Sequence, residues 1–149
     1  MEITKEIGFD MGHRVPNHKS KCSNVHGHRY TVFITLEWDL VSQKTSDEWM
    51  VIDFWDIKTI AKWFIDTHMD HGYMYYKEDQ IGKFISQQKN TSWDLMKTLE
   101  VDFVPTAENI AMWLFHQLEP LFVDTYKTNL KLKQIKLYET PSSYVVYKK

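Results

Sequence analysis

The chain has 149 residues, a length that suits one domain, residues 1–149, with a sizeable core. Hydrophobic residues make up 43% and charged residues 26%, an ordinary globular balance, and a net charge of -2 argues against a general nucleic-acid binder. No apolar run approaches the ~20 residues of a membrane span, the first residues lack the form of a signal peptide, and one cysteine makes no internal disulfide, so a cytosolic, cytoplasmic setting is expected. Aromatic residues, at 15%, are frequent enough to imply packed or subunit-facing surface beyond a single core.

Residues 2–11 read as a first strand, with Ile3, Ile7 and Phe9 apolar and His13 closing it. Gly8 and Gly12 mark a bulge or a close backbone approach. A polar loop over 14–25 follows, carrying Arg14, His18, Lys19 and Lys21, a basic cluster able to meet phosphates or simply a solvated loop. Residues 26–38 give the clearest strand. Tyr30, Val32, Ile34 and Leu36 fall on one face with His26 and His28, while Arg29, Thr31, Phe33 and Thr35 take the other. A polar connection over 40–48 leads to an expected short strand, 49–52, pairing as a hairpin.

Asp53 is placed to cap a helix whose apolar stripe (Ile57, Ile60, Ala61, Phe64, Ile65) runs to about His68, with Gly72 available to stop it. Within 73–104 the pattern predicts a short helix around Ile81, Phe84 and Ile85, a turn at 90–92 and a brief strand over 101–104. Thr106 is a natural N-cap for a second amphipathic helix (Ile110, Trp113, Leu114, Leu118) ending near Pro120. A linker through Asn129, a strand through Leu132, Ile135 and Leu137 to Thr140, a turn at 141–143 and a last strand over 144–147 complete the chain. Strands grouped by hairpins with helices between them predict an antiparallel α+β domain with helices on one face.

The chemistry concentrates in residues 22–28. In an extended His26-Gly27-His28 both imidazoles share a face, a good start on a zinc site, and His13 is the best third ligand. A lone cysteine is more often a small buried hydrophobe, but Cys22 sits among histidines and lysines, where a thiolate is favoured and acts as base or nucleophile. In Asp70-His71 a carboxylate stands beside an imidazole that it can orient, unless both are simply polar residues at a helix end. Glu108 suits a helix start as well as it suits a ligand. Glu139 follows Ile135 and Leu137 with the same parity, so its carboxylate needs a partner, and two adjacent N–H donors on a guanidine-like ring edge would satisfy it.

These motifs stand in a familiar order: Phe9 to His13-Arg14, Cys-x3-His-Gly-His at Cys22 to His28, Val51-Ile52-Asp53-Phe54, Asp70-His71, Pro105-Thr106-Ala107-Glu108-Asn109, and Glu139-Thr140. Together they resemble the 6-pyruvoyltetrahydropterin synthase superfamily nearly end to end, and most closely its bacterial 6-carboxytetrahydropterin synthases of the queuosine pathway, which share the three-residue gap between Cys22 and His26. The resemblance implies the tunnelling fold, a four-stranded antiparallel sheet with two helices on one side, in homo-oligomers (trimers or hexamers) that close a barrel and form active sites between subunits. It implies zinc at His13, His26 and His28, Cys22 as proton acceptor, Asp70 and His71 as relay and Glu139 as the anchor of a pterin ring, with Thr106 and Glu108 in the substrate-binding segment. The implied activity is a lyase acting on 7,8-dihydroneopterin triphosphate. A pyruvoyl synthase and a non-catalytic protein stapled by zinc are the alternatives. The chain departs from the family pattern after His71, where Gly72-Tyr73-Met74-Tyr75-Tyr76 replaces the usual Leu-Asn.

Overall fold

A computed structural model describes residues 1–38, 50–126 and 130–149. Its elements are β1 (Glu2–His13), a single 3-10 turn (Lys21–Ser23), β2 (His26–Glu37), α1 (Phe54–His68), β3 (Gly72–Tyr76), α2 (Gln80–Ser86), β4 (Thr98–Val101), α3 (Ala107–Tyr126), β5 (Lys131–Thr140) and β6 (Ser143–Lys148). They form one six-stranded sheet of order β4-β3-β1-β2-β5-β6.

The four expected antiparallel strands are β1, β2, β5 and β6. Ile7 stands opposite Val32 and Phe9 opposite Tyr30, while Val32 faces Leu137 and Ile34 faces Ile135. Directly paired residues share a face, so these apolar rows merge into one surface. α1 covers it with Ile57, Ala61 and Ile65, and α3 with Ile110, Leu114, Phe115, Leu118 and Phe122, all completely buried. Both helices begin as expected. The Asp53 carboxylate accepts the Trp55 N–H at 2.7 Å, and Thr106 Oγ1 accepts the Asn109 N–H at 3.4 Å.

Four expectations need correction. The sheet is mixed rather than purely antiparallel, because β3 runs parallel to β1 through Met11–Gly72 and Gly12–Tyr73, and β4 runs parallel to β3. The brief strand expected over 101–104 is centred earlier, at Thr98–Val101. Of the expected strand over 49–52, Trp49 and the connection before it lie outside the described residues, and residues 50–52 are irregular; Val51 and Ile52 are buried by the core cluster without a ladder. β2 pairs instead with β1 and β5. The second long helix passes through Pro120 and reaches Tyr126. A proline inside a helix removes one backbone bond, but Phe122 lies one turn past Leu118 on the same stripe and is fully buried, so packing carries the helix onward.

β3 is placed by two close approaches. A Cβ on Gly12 would stand 3.0 Å from the Tyr73 ring, and one on Gly82 would lie 2.4 Å from the Tyr75 ring and Cβ. Gly12 thus lets Tyr73 cross the end of β1, and Gly82 lets α2 lie directly on Tyr75. Phe122→Ala is expected to cost about 3–5 kcal/mol by denaturant unfolding; a loss below about 1 kcal/mol would show that the turn beyond Pro120 adds nothing to the core.

Candidate functional site

The metal-binding candidates arise from strand register. His13 pairs with His26, and Met11 with His28, so all three histidines share the face that carries the core. The rings stand with centroids 4.6 Å (His13–His26), 5.0 Å (His26–His28) and 5.2 Å (His13–His28) apart. One nitrogen from each lies within 4.8 Å of the others, the only such group of three among the described residues. Around a tetrahedral zinc with bonds of roughly 2.1 Å, ligand atoms stand roughly 3.4 Å apart, so small ring rotations would close the set.

Backbone carbonyls orient two of these rings. His13 Nδ1 lies 2.7 Å from the Pro105 carbonyl, and His26 Nδ1 lies 2.8 Å from that of Asn24. Each carbonyl can only accept, so each Nδ1 carries the proton and each Nε2 keeps its lone pair for a metal. Burial holds the His13 pKa below that of an ordinary imidazole, with His26 and His28 adding to the effect against the opposing pull of Pro105 and Glu139. A neutral imidazole is the form that binds metal. The residues present fit a three-histidine metal site.

Glu139 reaches this cluster, as its parity on β5 predicts. Its Oε1 lies 3.5 Å from His13 Nε2 and 3.8 Å from His28 Nε2. Tyr30 OH is 3.2 Å from His13 Nε2, and burial followed by the Glu139 charge raises the phenol's pKa, keeping its proton.

Asp70 and His71 form a second arrangement. Asp70 Oδ2 lies 2.8 Å from His71 Nδ1, and Asp70 Oδ1 accepts the Asp10 N–H at 2.9 Å. The His71 N–H in turn donates to the Asp10 carbonyl at 2.7 Å. Partial burial would raise the Asp70 pKa, but the Asp10 N–H, His71 and Lys62 lower it on balance, so the carboxylate stays charged. His71, not Gly72, takes the left-handed turn after α1, with φ 55°. That conformation costs a non-glycine residue about 1–3 kcal/mol and is typical of functional positions. The His71 side chain is 77% exposed.

The structure does not bring every candidate together. Cys22 sits half-buried in the 3-10 turn and its thiol is not part of the three-nitrogen group. Arg14 turns inward toward Asp79, Nε to Oδ2 3.7 Å, whereas Lys19 and Lys21 remain exposed. Thr106 caps α3, and Glu108 lies exposed in its first turn. The contribution of Pro105 and Asp10 is through backbone atoms, which leave no trace in residue type.

Two cavities adjoin at Gly27, His28 and Arg29. One, of ≈ 460 Å³, extends to Phe33, Tyr138, Glu139 and Thr140; the other, of ≈ 500 Å³, extends to Asp10, Gly12 and His71. Each has the size of a small-molecule site, and together they link Glu139 to His71 past His28.

The family model described as 6-pyruvoyl tetrahydropterin synthase matches residues 2–149. A 6-carboxy-5,6,7,8-tetrahydropterin synthase from Rickettsia typhi is 39% identical, covering 97% of this chain and 98% of its own. One from Haemophilus influenzae is 37% identical, with 98% and 97% covered. The solved 6-pyruvoyl tetrahydropterin synthase of Caenorhabditis elegans superposes with a TM-score of 0.65 at 23% identity, covering 100% of this chain and 95% of that one.

The depressed His13 pKa carries a stability consequence in the metal-free protein. Below the ordinary imidazole value of 6.5 the unfolded chain takes up a proton that folded His13 refuses, so stability falls as pH drops through that range. Denaturant unfolding of EDTA-treated protein between pH 7.5 and 5.5 is expected to show a steeper loss for wild type than for His13→Asn. Equal slopes would show that burial of His13 sets no such penalty.

Proposed function

The chain belongs to the 6-pyruvoyl tetrahydropterin synthase family, and within it we propose that the protein is a zinc-dependent lyase converting 7,8-dihydroneopterin triphosphate to 6-carboxytetrahydropterin, a step of queuosine biosynthesis. The observation that carries this reading is Glu139 beside the three histidines, with Glu139 and His28 lining one cavity, so that an acceptor for a ring edge adjoins a metal cluster. The relatives named 6-carboxy-5,6,7,8-tetrahydropterin synthase support it over nearly the full chain.

His13, His26 and His28 would hold the zinc, which when bound supplies Lewis-acid polarisation of the substrate's side-chain hydroxyls. Glu139 accepts the two adjacent N–H groups of the pterin edge and fixes the ring. Thr106 and Glu108 enter this proposal as substrate-binding residues through the segment that follows Pro105, whose carbonyl orients His13, although neither lines the two cavities. Cys22, as thiolate, takes a proton from the side chain. His71, oriented by the charged Asp70, returns protons to carbon. Triphosphate leaves, one water enters, and the distal two carbons depart as acetaldehyde. Oxidation of the remaining side-chain carbon to carboxylate is balanced by reduction of the ring, so no nicotinamide is needed.

We infer a cytoplasmic homo-oligomer with sites shared between subunits, and the open edges of the sheet support the oligomer. Among the described residues β3 pairs with β1 only at Met11 and Gly12, leaving the rest of that edge without a strand, and the outer edge of β6 is likewise open. Such edges invite pairing between copies, and three chains joined β6 to β1 would close a barrel of twelve antiparallel strands. The exposed His71 side chain would then serve the Cys22 and histidine cluster of a neighbouring subunit.

Zinc-loaded protein incubated with 7,8-dihydroneopterin triphosphate is expected to yield a carboxy-pterin and acetaldehyde by mass spectrometry. A pyruvoyl-pterin with no aldehyde would assign the protein to the other activity of its family. Cys22→Ala is expected to lower turnover about 10²–10⁴-fold while keeping zinc content and oligomeric state; unchanged turnover would remove Cys22 from the mechanism.

A further inference from the structure

The segment between α2 and β4 ends at Lys97, which is positioned against the turn that carries Asp70 and His71. Its carbonyl accepts the Tyr73 N–H at 3.0 Å. Its Cγ would lie 3.4 Å from a Cβ on Gly72, so the glycine leaves room for the lysine stem. Its Nζ donates to two carbonyls, that of Asp66 at 2.5 Å and that of Asp70 at 2.6 Å.

The first of these bonds is ordinary. Asp66 lies in the last turn of α1, where carbonyls lack helical partners and a lysine is a common cap. The second lies outside the helix and does not serve it. The Asp70 carbonyl belongs to the peptide that joins Asp70 to His71. The N–H of that same peptide donates to Asp10, and the Asp70 side chain accepts from Asp10. The peptide is therefore gripped at both ends, by β1 on one side and Lys97 on the other, immediately before the residue in the left-handed conformation.

We propose that Lys97 is a positioning residue for the Asp70–His71 pair: its ammonium holds the carbonyl of the joining peptide and so keeps His71 in the backbone conformation from which the imidazole meets substrate. This rests on the reading that the pair handles protons.

The test compares Lys97→Met, which keeps the stem and removes the donor, with Lys97→Arg, which restores a donor. Amide hydrogen exchange at His71 and Asp10 reports the clamp directly, without turnover. In Lys97→Met it is expected to rise about tenfold or more at these two amides, with β2 and β5 unchanged. The kcat is expected to fall about ten- to hundredfold with KM within about twofold and zinc content unchanged, because a small misplacement of a reacting group is costly. Lys97→Arg recovers both readouts. Unchanged exchange at His71 and Asp10 overturns the proposal whatever the activity does, and so does faster exchange with unchanged kcat. Absence of turnover in the wild type would instead defeat the functional reading, leaving the exchange arm to decide whether Lys97 holds the peptide.

Discussion

The register of β1 against β2 is the constraint on which the site depends. His13 opposite His26 and Phe9 opposite Tyr30 are consequences of a single alignment. A slip by one residue would turn either His13 or the pair His26 and His28 to the opposite face, because side chains alternate along a strand. The same slip would expose Ile7, Phe9 and Met11 in the first case, or Tyr30, Val32 and Ile34 in the second, all of them buried under the helices. The apolar part of each strand therefore fixes the geometry of its polar end, and folding energy from the core is the source of the histidine arrangement.

That polar end is tolerated because it is satisfied from several directions. His13 is 1% exposed and would be costly without partners. Its Nδ1 donates to the Pro105 carbonyl and its Nε2 accepts from the Tyr30 hydroxyl, with the Glu139 carboxylate 3.5 Å from that second nitrogen. Each partner comes from a different element: the residue before the α3 cap, the middle of β2, and the end of β5. The cluster thus ties together three parts of the chain as well as offering lone pairs to a metal. Asp10 plays a similar joining role three residues upstream, since its amide and carbonyl fix the turn after α1.

Residues that act through side-chain type and parity were legible in the sequence. The alternation in β2, the placement of Glu139 on the face of Ile135 and Leu137, and the caps Asp53 and Thr106 all follow from local pattern, and the structure realises each. Residues 72–76 were not legible as a strand. Their partners are β1 and β4 in parallel, distant in sequence, and the run is only five residues long. The continuation of α3 past Pro120 was hidden because proline is a local signal and the burial of Phe122 is a tertiary one. The left-handed turn fell to His71 although Gly72 stood beside it, because Gly72 is needed as the first residue of β3, where a Cβ would stand 3.0 Å from the Met69 carbonyl oxygen and 3.4 Å from the Lys97 stem.

Backbone atoms supply the orientation that the side chains at this site require. Pro105, Asn24 and Asp10 act through carbonyls or an amide, so another residue type at any of them could present the same group. Residue identity at these positions is a weak guide to their role, whereas at His13, His26, His28 and Glu139 identity is the chemistry. The division has a mechanical basis. A carbonyl held in a strand end or a helix entrance moves with the whole element, so it fixes an imidazole more firmly than a flexible side chain does. Asp70 and Lys97 are the exceptions, side chains in an orienting role: the Asp70 carboxylate meets the His71 ring, and Lys97 bonds to two carbonyls at once, so that its ammonium is held by both.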